Sequence, residues 1–159
     1  MVGPGTGVAP FRSFWQERHA VSAPTLPKPH LNANPADPHP HATLFFGCQS
    51  EQRDFLYRDE LHNHHSSGLL RLHTAFSRDQ DHKIYVQHRI GEQAEQLGRV
   101  LLQDNAHVYV CGDARQMPHD VRAALVKSLQ AGGGLSAEDA EKRVREMEQR
   151  GRYQTDVWF

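Results

Sequence analysis

Apolar residues fall along this chain in two patterns that alternate: short continuous runs, and stripes with helical spacing between them. The runs are Thr-Leu-Phe-Phe-Gly-Cys at 43–48, Leu-Leu-Arg-Leu-His-Thr-Ala-Phe at 69–76, Ala-His-Val-Tyr-Val-Cys-Gly at 106–112 and the β-type tail 152–159. Their length and flanking glycines predict strands buried on both faces. Between them, Phe11, Phe14 and Trp15 place one apolar face on a helix from 9 to about 20. Phe55, Leu56 and Leu61 do so on one charged helix that Ser67-Gly68 ends, and Ile90, Ala94, Leu97 and Leu101 form a stripe on the next. Val121, Leu125 and Leu129 mark a helix that stops at Gly132-Gly133-Gly134. Ser136 with Glu138 and Asp139 reads as an N-cap for a last helix, with Ala140, Val144 and Met147 inward. Glu138/Lys142, Glu141/Arg145 and Glu146/Arg150 are its i,i+4 pairs, and Gly151 closes it.

Strands alternating with helices predict an α/β fold: a doubly wound, mainly parallel five-stranded sheet with helices on both faces. Only Met1 and Val2 stand before Gly3, so the first strand is expected to be truncated. One domain over 1–159 is expected, because a chain of this length buries roughly two-thirds of its unfolded surface in a single core. Residues 21–41 interrupt the pattern with six prolines, Pro24 to Pro40, and predict a surface insertion.

Charge narrows the partners. With 18 Lys+Arg against 19 Asp+Glu, no broad basic face points to nucleic acid or to an anionic membrane, and any anion site must be local. Cys48 and Cys111 have neither the density nor the spacing of a disulfide framework. No run of 18 apolar residues and no leader pattern is present, so no membrane contact is expected from this chain. His30, His39 and His41, like His62, His64 and His65, lack the cysteines and the spacing of a metal site, and no metal is expected.

Two stretches carry candidate chemistry. At 3–10 the sequence Gly-Pro-Gly-Thr-Gly-Val-Ala-Pro alternates glycines ahead of a proline that suits a helix start. Such a turn lets a backbone lie against a phosphate at the positive end of a helix, although a turn that binds nothing has the same composition. It reads G-x-G-x-x-P from Gly5, not the usual dinucleotide fingerprint, and no Walker lysine follows. The second stretch packs Ser77, Arg78, Lys83 and Tyr85 into nine positions: two cations, two hydroxyls and one ring, suited to a phosphomonoester beside an adenine. A solvated loop is the other reading. Parallel sheets bind ligands beyond the carboxyl ends of their strands, so the glycine turn, Gly47-Cys48, Ser77-Arg78 and Cys111-Gly112-Asp113 should face one crevice.

Val-Gly-Pro-Gly-Thr-Gly-Val-Ala-Pro-Phe, Phe-Phe-Gly-Cys, Ala-Phe-Ser-Arg-Asp-Gln, Lys-Ile-Tyr-Val-Gln, Val-Tyr-Val-Cys-Gly-Asp-Ala and the final Asp-Val-Trp occur in that order. Together they resemble the NADP(H)-binding domain of the diflavin reductases, relatives of ferredoxin–NADP reductase that include NADPH–cytochrome P450 reductase and methionine synthase reductase. The resemblance covers nearly the whole chain apart from the insertion. It implies that Gly5, Thr6 and Gly7 hold the pyrophosphate of NADPH. Ser77, Arg78, Lys83, Tyr85 and Gln87 surround its 2′-phosphate and adenine, and Asp113 and Met117 line the cleft. Cys111 and Asp156 stand near the nicotinamide, where the carboxylate would stabilise positive charge on the ring, and Trp158 covers a flavin. From the residues alone, Cys111 reads rather as a small buried side chain, and Asp156 and Trp158 as an edge-strand tail; the resemblance reverses that preference.

The resemblance further implies the C-terminal module of a larger flavoprotein, with FAD-binding and FMN-binding domains in the same polypeptide. A haem or cobalamin protein would be the electron acceptor, with the full-length protein cytosolic or anchored to the endoplasmic reticulum by a segment outside this chain. The isolated chain is then expected to bind nucleotide and to catalyse nothing; a noncatalytic NADPH-sensing module is the alternative. Four features depart from the family pattern: Gln49 in place of an arginine after Gly-Cys, Gln116 in place of an asparagine, Phe159 in place of a small residue, and the long insertion.

Overall fold

The computed structural model describes residues 1–22 and 42–159. The expected Pro/His-rich insertion, with His30, His39 and His41, lies outside the described residues beyond position 22.

Five strands form one sheet in which every pairing is parallel: β1 (Val2–Pro4), β2 (Thr43–Cys48), β3 (Arg71–Phe76), β4 (Val108–Asp113) and β5 (Tyr153–Trp158). The five parallel strands and the short first one are as expected, and the order β3-β2-β1-β4-β5 puts that shortest strand at the centre. Chain direction across the sheet reverses between β1 and β4, so the switch point opens beside the glycine turn. The Met1 amine donates to the Thr43 carbonyl at 2.8 Å, and burial pulls its pKa down to about 5.

Alternation within each run sorts the side chains to two cores. Leu44 and Phe46 point to one face, with Val8 from the turn after β1, Phe11 and Trp15 from α1 (Ala9–Ser22) and Leu61 from α3 (Arg58–Ser66). Phe45, Val108 and Val110 point to the other, which is covered by α4 (Val86–Glu92), α5 (Ala94–Gln103), α6 (Met117–Gly133) and α7 (Ala137–Gln149). Both faces of the sheet are therefore covered, which is why β2 reads as an unbroken apolar run.

Two expected helices are each divided. The charged segment after β2 forms α2 (Glu51–Asp54) and α3, parted at Phe55–Tyr57 with Tyr57 in the left-handed region at φ 57°. The break turns Phe55 inward to stack on Phe46 at 4.8 Å, and it leaves Leu56 exposed rather than on an apolar face. Likewise the stripe through Ile90, Ala94, Leu97 and Leu101 spans α4 and α5, parted at Gln93, whose N–H bonds the carbonyl three residues back. Periodicity survives such a break because both halves face the same core.

The last helix starts as expected, with Ser136 Oγ accepting from the Asp139 N–H at 3.1 Å. Glu141 meets Arg145 at 4.0 Å but lies closer to Arg122 of α6, at 2.6 Å. Arg152 locks β5 to the end of α5, donating to the carbonyls of Leu101 at 2.7 Å and Ala106 at 2.9 Å.

Glu60 joins α3 to α1. It accepts from Trp15 Nε1 at 2.8 Å, Arg12 Nε at 2.9 Å and Gln16 Nε2 at 3.4 Å. Burial opposes ionisation here, yet these donors prevail and hold the carboxyl below its ordinary pKa. The Glu60 contribution is thus complete above the unfolded-state value near 4.3 and is lost as pH falls through the lower folded value. Glu60→Ala strands the buried indole N–H, so a loss of about 2–3 kcal/mol at neutral pH is expected, shrinking as pH is lowered. Urea melts at pH 7 and pH 3 check this.

Candidate functional site

The site is assembled at the carboxyl ends of all five strands. At the centre, β1 passes into a 3-10 turn over Gly5–Val8 and then into α1, with Pro10 in its first turn. Gly5 takes φ +57°, a conformation natural to glycine. Gly7 is required for space: a Cβ there would sit 2.1 Å from the Cys111 carbonyl oxygen and 2.7 Å from its carbon. The turn therefore lies on the end of β4 with its Thr6 exposed, and it runs straight into α1, the Ala9 N–H donating to the Thr6 carbonyl.

On one side, β4 and β5 bring the residues expected at the nicotinamide end into register. Cys111 pairs with Asp156 and Asp113 with Trp158, so in a parallel ladder each pair shares a face. Cys111 is buried, whereas Asp156 and Trp158 are exposed, the indole by 44 %. Burial first, and then the charge of Asp156, raises the Cys111 pKa, which keeps the thiol neutral. Asp113 is occupied by Arg115, whose guanidinium and backbone N–H drive its pKa down to about 2. Met117, the first residue of α6, packs near Gly112 with the partly buried hydrophobics of the core.

The other side follows β3. The Ser77 N–H donates to the Cys48 carbonyl at 3.0 Å and the Arg78 N–H to the Gln49 carbonyl at 2.8 Å, strapping this turn to the end of β2. Asp79 accepts from the Glu51 N–H at 2.7 Å at the start of α2. Gln80 donates to the carbonyls of Phe76 at 2.6 Å and His82 at 2.7 Å, closing the loop that leads to Lys83. Arg78, Lys83 and Tyr85 are exposed, and among the described residues neither cation takes a salt bridge. Two cations left unneutralised on a fixed loop suit an anion, and the backbone cradle at Gly7 suits a second one. The residues present therefore fit an adenine nucleotide carrying phosphates at both positions.

Gln87 leaves the exposed group. Its Nε2 donates to Asp120 Oδ2 at 3.0 Å, and Gln116 Nε2 donates to the other oxygen at 2.9 Å. Asp120 thereby bridges α4 to the amino end of α6, linking the two sides of the crevice. Sequence reading missed Asp79, Gln80 and Asp120 because their work is to hold backbone and amide groups across long sequence separations. The Asp-Gln that follows Ser77-Arg78 was the available signal for the first two.

A cavity of about 530 Å³ lies elsewhere, at the amino ends of the strands, lined by Val2, Phe45, Ile90, Leu101, Val108 and Tyr109 among others. None of the residues named for the crevice lines it. Among the described residues, no helix is long and apolar enough to cross a membrane.

The profile of the oxidoreductase NAD-binding domain matches residues 1–123. NADPH–cytochrome P450 reductase of Musca domestica is 42 % identical over 164 residues, covering 99 % of this chain and 22 % of that protein. The same reductase of Aspergillus niger is 46 % identical over 160 residues, covering 99 % and 21 %. The sulfite reductase [NADPH] flavoprotein alpha-component of Cronobacter sakazakii is 46 % identical over 159 residues, covering 99 % and 24 %. The chain spans about a fifth to a quarter of the length of these curated relatives. With its parallel sheet, its glycine turn at the switch point and these matches, the chain belongs to the oxidoreductase NAD-binding domain family, among the NADP(H)-binding domains of the diflavin reductases.

Proposed function

We propose that this chain is the NADPH-binding module of a diflavin oxidoreductase. In that reading NADPH supplies a hydride to FAD, and electrons pass on through FMN to a haem or cobalamin protein; the FAD-binding and FMN-binding domains belong to the same polypeptide. The observation that carries it is the row of strand ends: unpaired Arg78 and Lys83 at one end, the Gly7 cradle at the centre, and the Cys111–Asp156 pair beside exposed Trp158 at the other.

This chain's own residues bind, orient and stabilise. Arg78 and Lys83, with the Ser77 hydroxyl, hold a 2′-phosphate, and Tyr85 offers its ring to the adenine. Gly5, Thr6 and Gly7 present backbone to the pyrophosphate, while Asp113 and Met117 border the cleft and Gln87 ties its wall to Asp120. Asp156 places negative charge where a ring becomes positive as hydride leaves, and Cys111 supplies a small neutral neighbour. Trp158 gives an aromatic surface for a flavin.

Calorimetry with 2′-phospho-AMP and AMP tests the nucleotide assignment. Charge-assisted contacts of about 1.5–3 kcal/mol each, before solvent screening, imply that the phosphorylated nucleotide binds more tightly by at least tenfold. Equal binding removes Arg78 and Lys83 from the site. In a flavin-containing reductase built on this module, Asp156→Asn and Cys111→Ala are each expected to slow single-turnover hydride transfer while leaving NADPH affinity nearly unchanged. Weaker binding at unchanged transfer rate assigns both residues to binding instead. Without a flavoprotein the chain should not reduce ferricyanide with NADPH, and measurable turnover overturns the modular reading. A noncatalytic NADPH sensor would share the nucleotide result but show no effect of Asp156→Asn in any coupled assay.

A further inference from the structure

We infer that His88 is a positioning residue for the adenine subsite: it fixes the backbone and ring of Tyr85 so that one aromatic platform meets the base. The inference rests on the nucleotide assignment above and deepens it. Tyr85 is the residue immediately before α4, in extended conformation, and His88 is the third residue of that helix. The two are joined in both directions. The Tyr85 N–H donates to His88 Nδ1 at 2.9 Å, and the His88 N–H donates to the Tyr85 carbonyl at 3.0 Å. The rings also stack, with centroids 5.9 Å apart and planes inclined by 26°.

Each contact limits a different freedom of Tyr85. The reciprocal hydrogen bonds fix its backbone as the helix cap, in the manner of a capping box whose third residue reaches back to the cap N–H. Because Nδ1 accepts, the neutral ring carries its proton on Nε2, so one tautomer is selected. The stack then holds the phenol ring, which is otherwise exposed by 41 % and would spread over its rotamers. An adenine laid on Tyr85 would thus extend an existing pair instead of ordering a loose side chain, and ordering in advance favours binding.

Two substitutions separate the two contacts. His88→Asn keeps an acceptor for the Tyr85 N–H and removes the ring; His88→Phe keeps a ring and removes the acceptor. By calorimetry on the 159-residue chain, each should weaken binding of both 2′-phospho-AMP and AMP by about threefold to tenfold. The ratio between the two nucleotides should stay as in the parent chain, since the cations are untouched. In a Tyr85→Ala background, His88→Asn should change either dissociation constant by less than about twofold, because the platform it positions is gone. A merely structural His88 would weaken binding equally in both backgrounds, and that result, like unaltered binding in the parent background, overturns the inference. If the parent chain does not prefer 2′-phospho-AMP, the 2′-phosphate reading fails; if it does and His88→Asn has no effect, only the role of His88 fails. Absence of all nucleotide binding sinks both.

Discussion

Gly7→Ala is expected to abolish useful NADPH affinity and to lower stability by about 3 kcal/mol, the upper end of the usual cost of overpacking. The new methyl carbon would lie 2.1 Å from the Cys111 carbonyl oxygen, against backbone that no rotamer change can move aside. Either the 3-10 turn lifts from β4 or β4 bends, and both displace the phosphate cradle relative to Cys111 and Asp156. For a chain of this size the melting temperature should fall by roughly 6–12 °C, and NADPH should bind about 100-fold more weakly by fluorescence titration. Gly5→Ala is the control. Its Cβ meets nothing within 4 Å, so the cost is confined to the φ of +57°, about 1–2 kcal/mol. NADPH affinity should then change by only a few fold. If Gly7→Ala binds NADPH like the parent chain, the turn is not the pyrophosphate site, whatever its melting temperature.

That contrast also marks what the residues alone could tell. The alternating glycines announced a tight turn before a helix, and strand–helix alternation put that turn at the end of a parallel strand; the sheet bears out both. Which glycine is needed for space depends on β4, about a hundred residues away, and no local pattern contains it. The same limit applied to the helices. Phe55 and Leu56 were both assigned to an apolar face, but Tyr57 adopts φ 57° and the chain turns, so Phe55 reaches Phe46 while Leu56 faces outward. The crevice residues named from motifs fall at strand ends, on the turns and loops that follow them, or, for Gln87 and Met117, in the first turn of the next helix, because a motif of Ser77-Arg78 type is local. The groups that hold those loops are not. Asp79 meets Glu51, Gln80 spans its own loop, and Asp120 reaches back to Gln87 across 33 positions. A carboxylate on a predicted helix gives no sequence signal that its partner is an amide on another one.

Gly98→Ala should be as damaging as the change at Gly7, though it lies on the helical layer rather than in the crevice. The backbones of α5 and α6 are in contact there: a Cβ on Gly98 would stand 2.0 Å from the Ser128 carbonyl oxygen and 2.8 Å from Gly132 Cα. Helix propensity favours alanine over glycine by about 1 kcal/mol, and that gain is outweighed by prying apart two packed helices, which should cost about 3 kcal/mol net. Gly91→Ala on α4, where nothing lies within 4 Å of the new carbon, should instead stabilise by about 0.5–1 kcal/mol. The same chemical change thus takes opposite signs seven residues apart, and denaturant midpoints read the difference directly. Function should follow the damaging one. The amino end of α6 carries Met117 and Asp120, and Asp120 holds Gln87 on α4, so shifting α6 away from α5 strains the bridge between the two sides of the crevice. For Gly98→Ala, 2′-phospho-AMP affinity should drop several fold under conditions where the variant remains folded. An unchanged affinity would show that the Gln87–Asp120 bridge is structural and that the adenine loop keeps its geometry without α6.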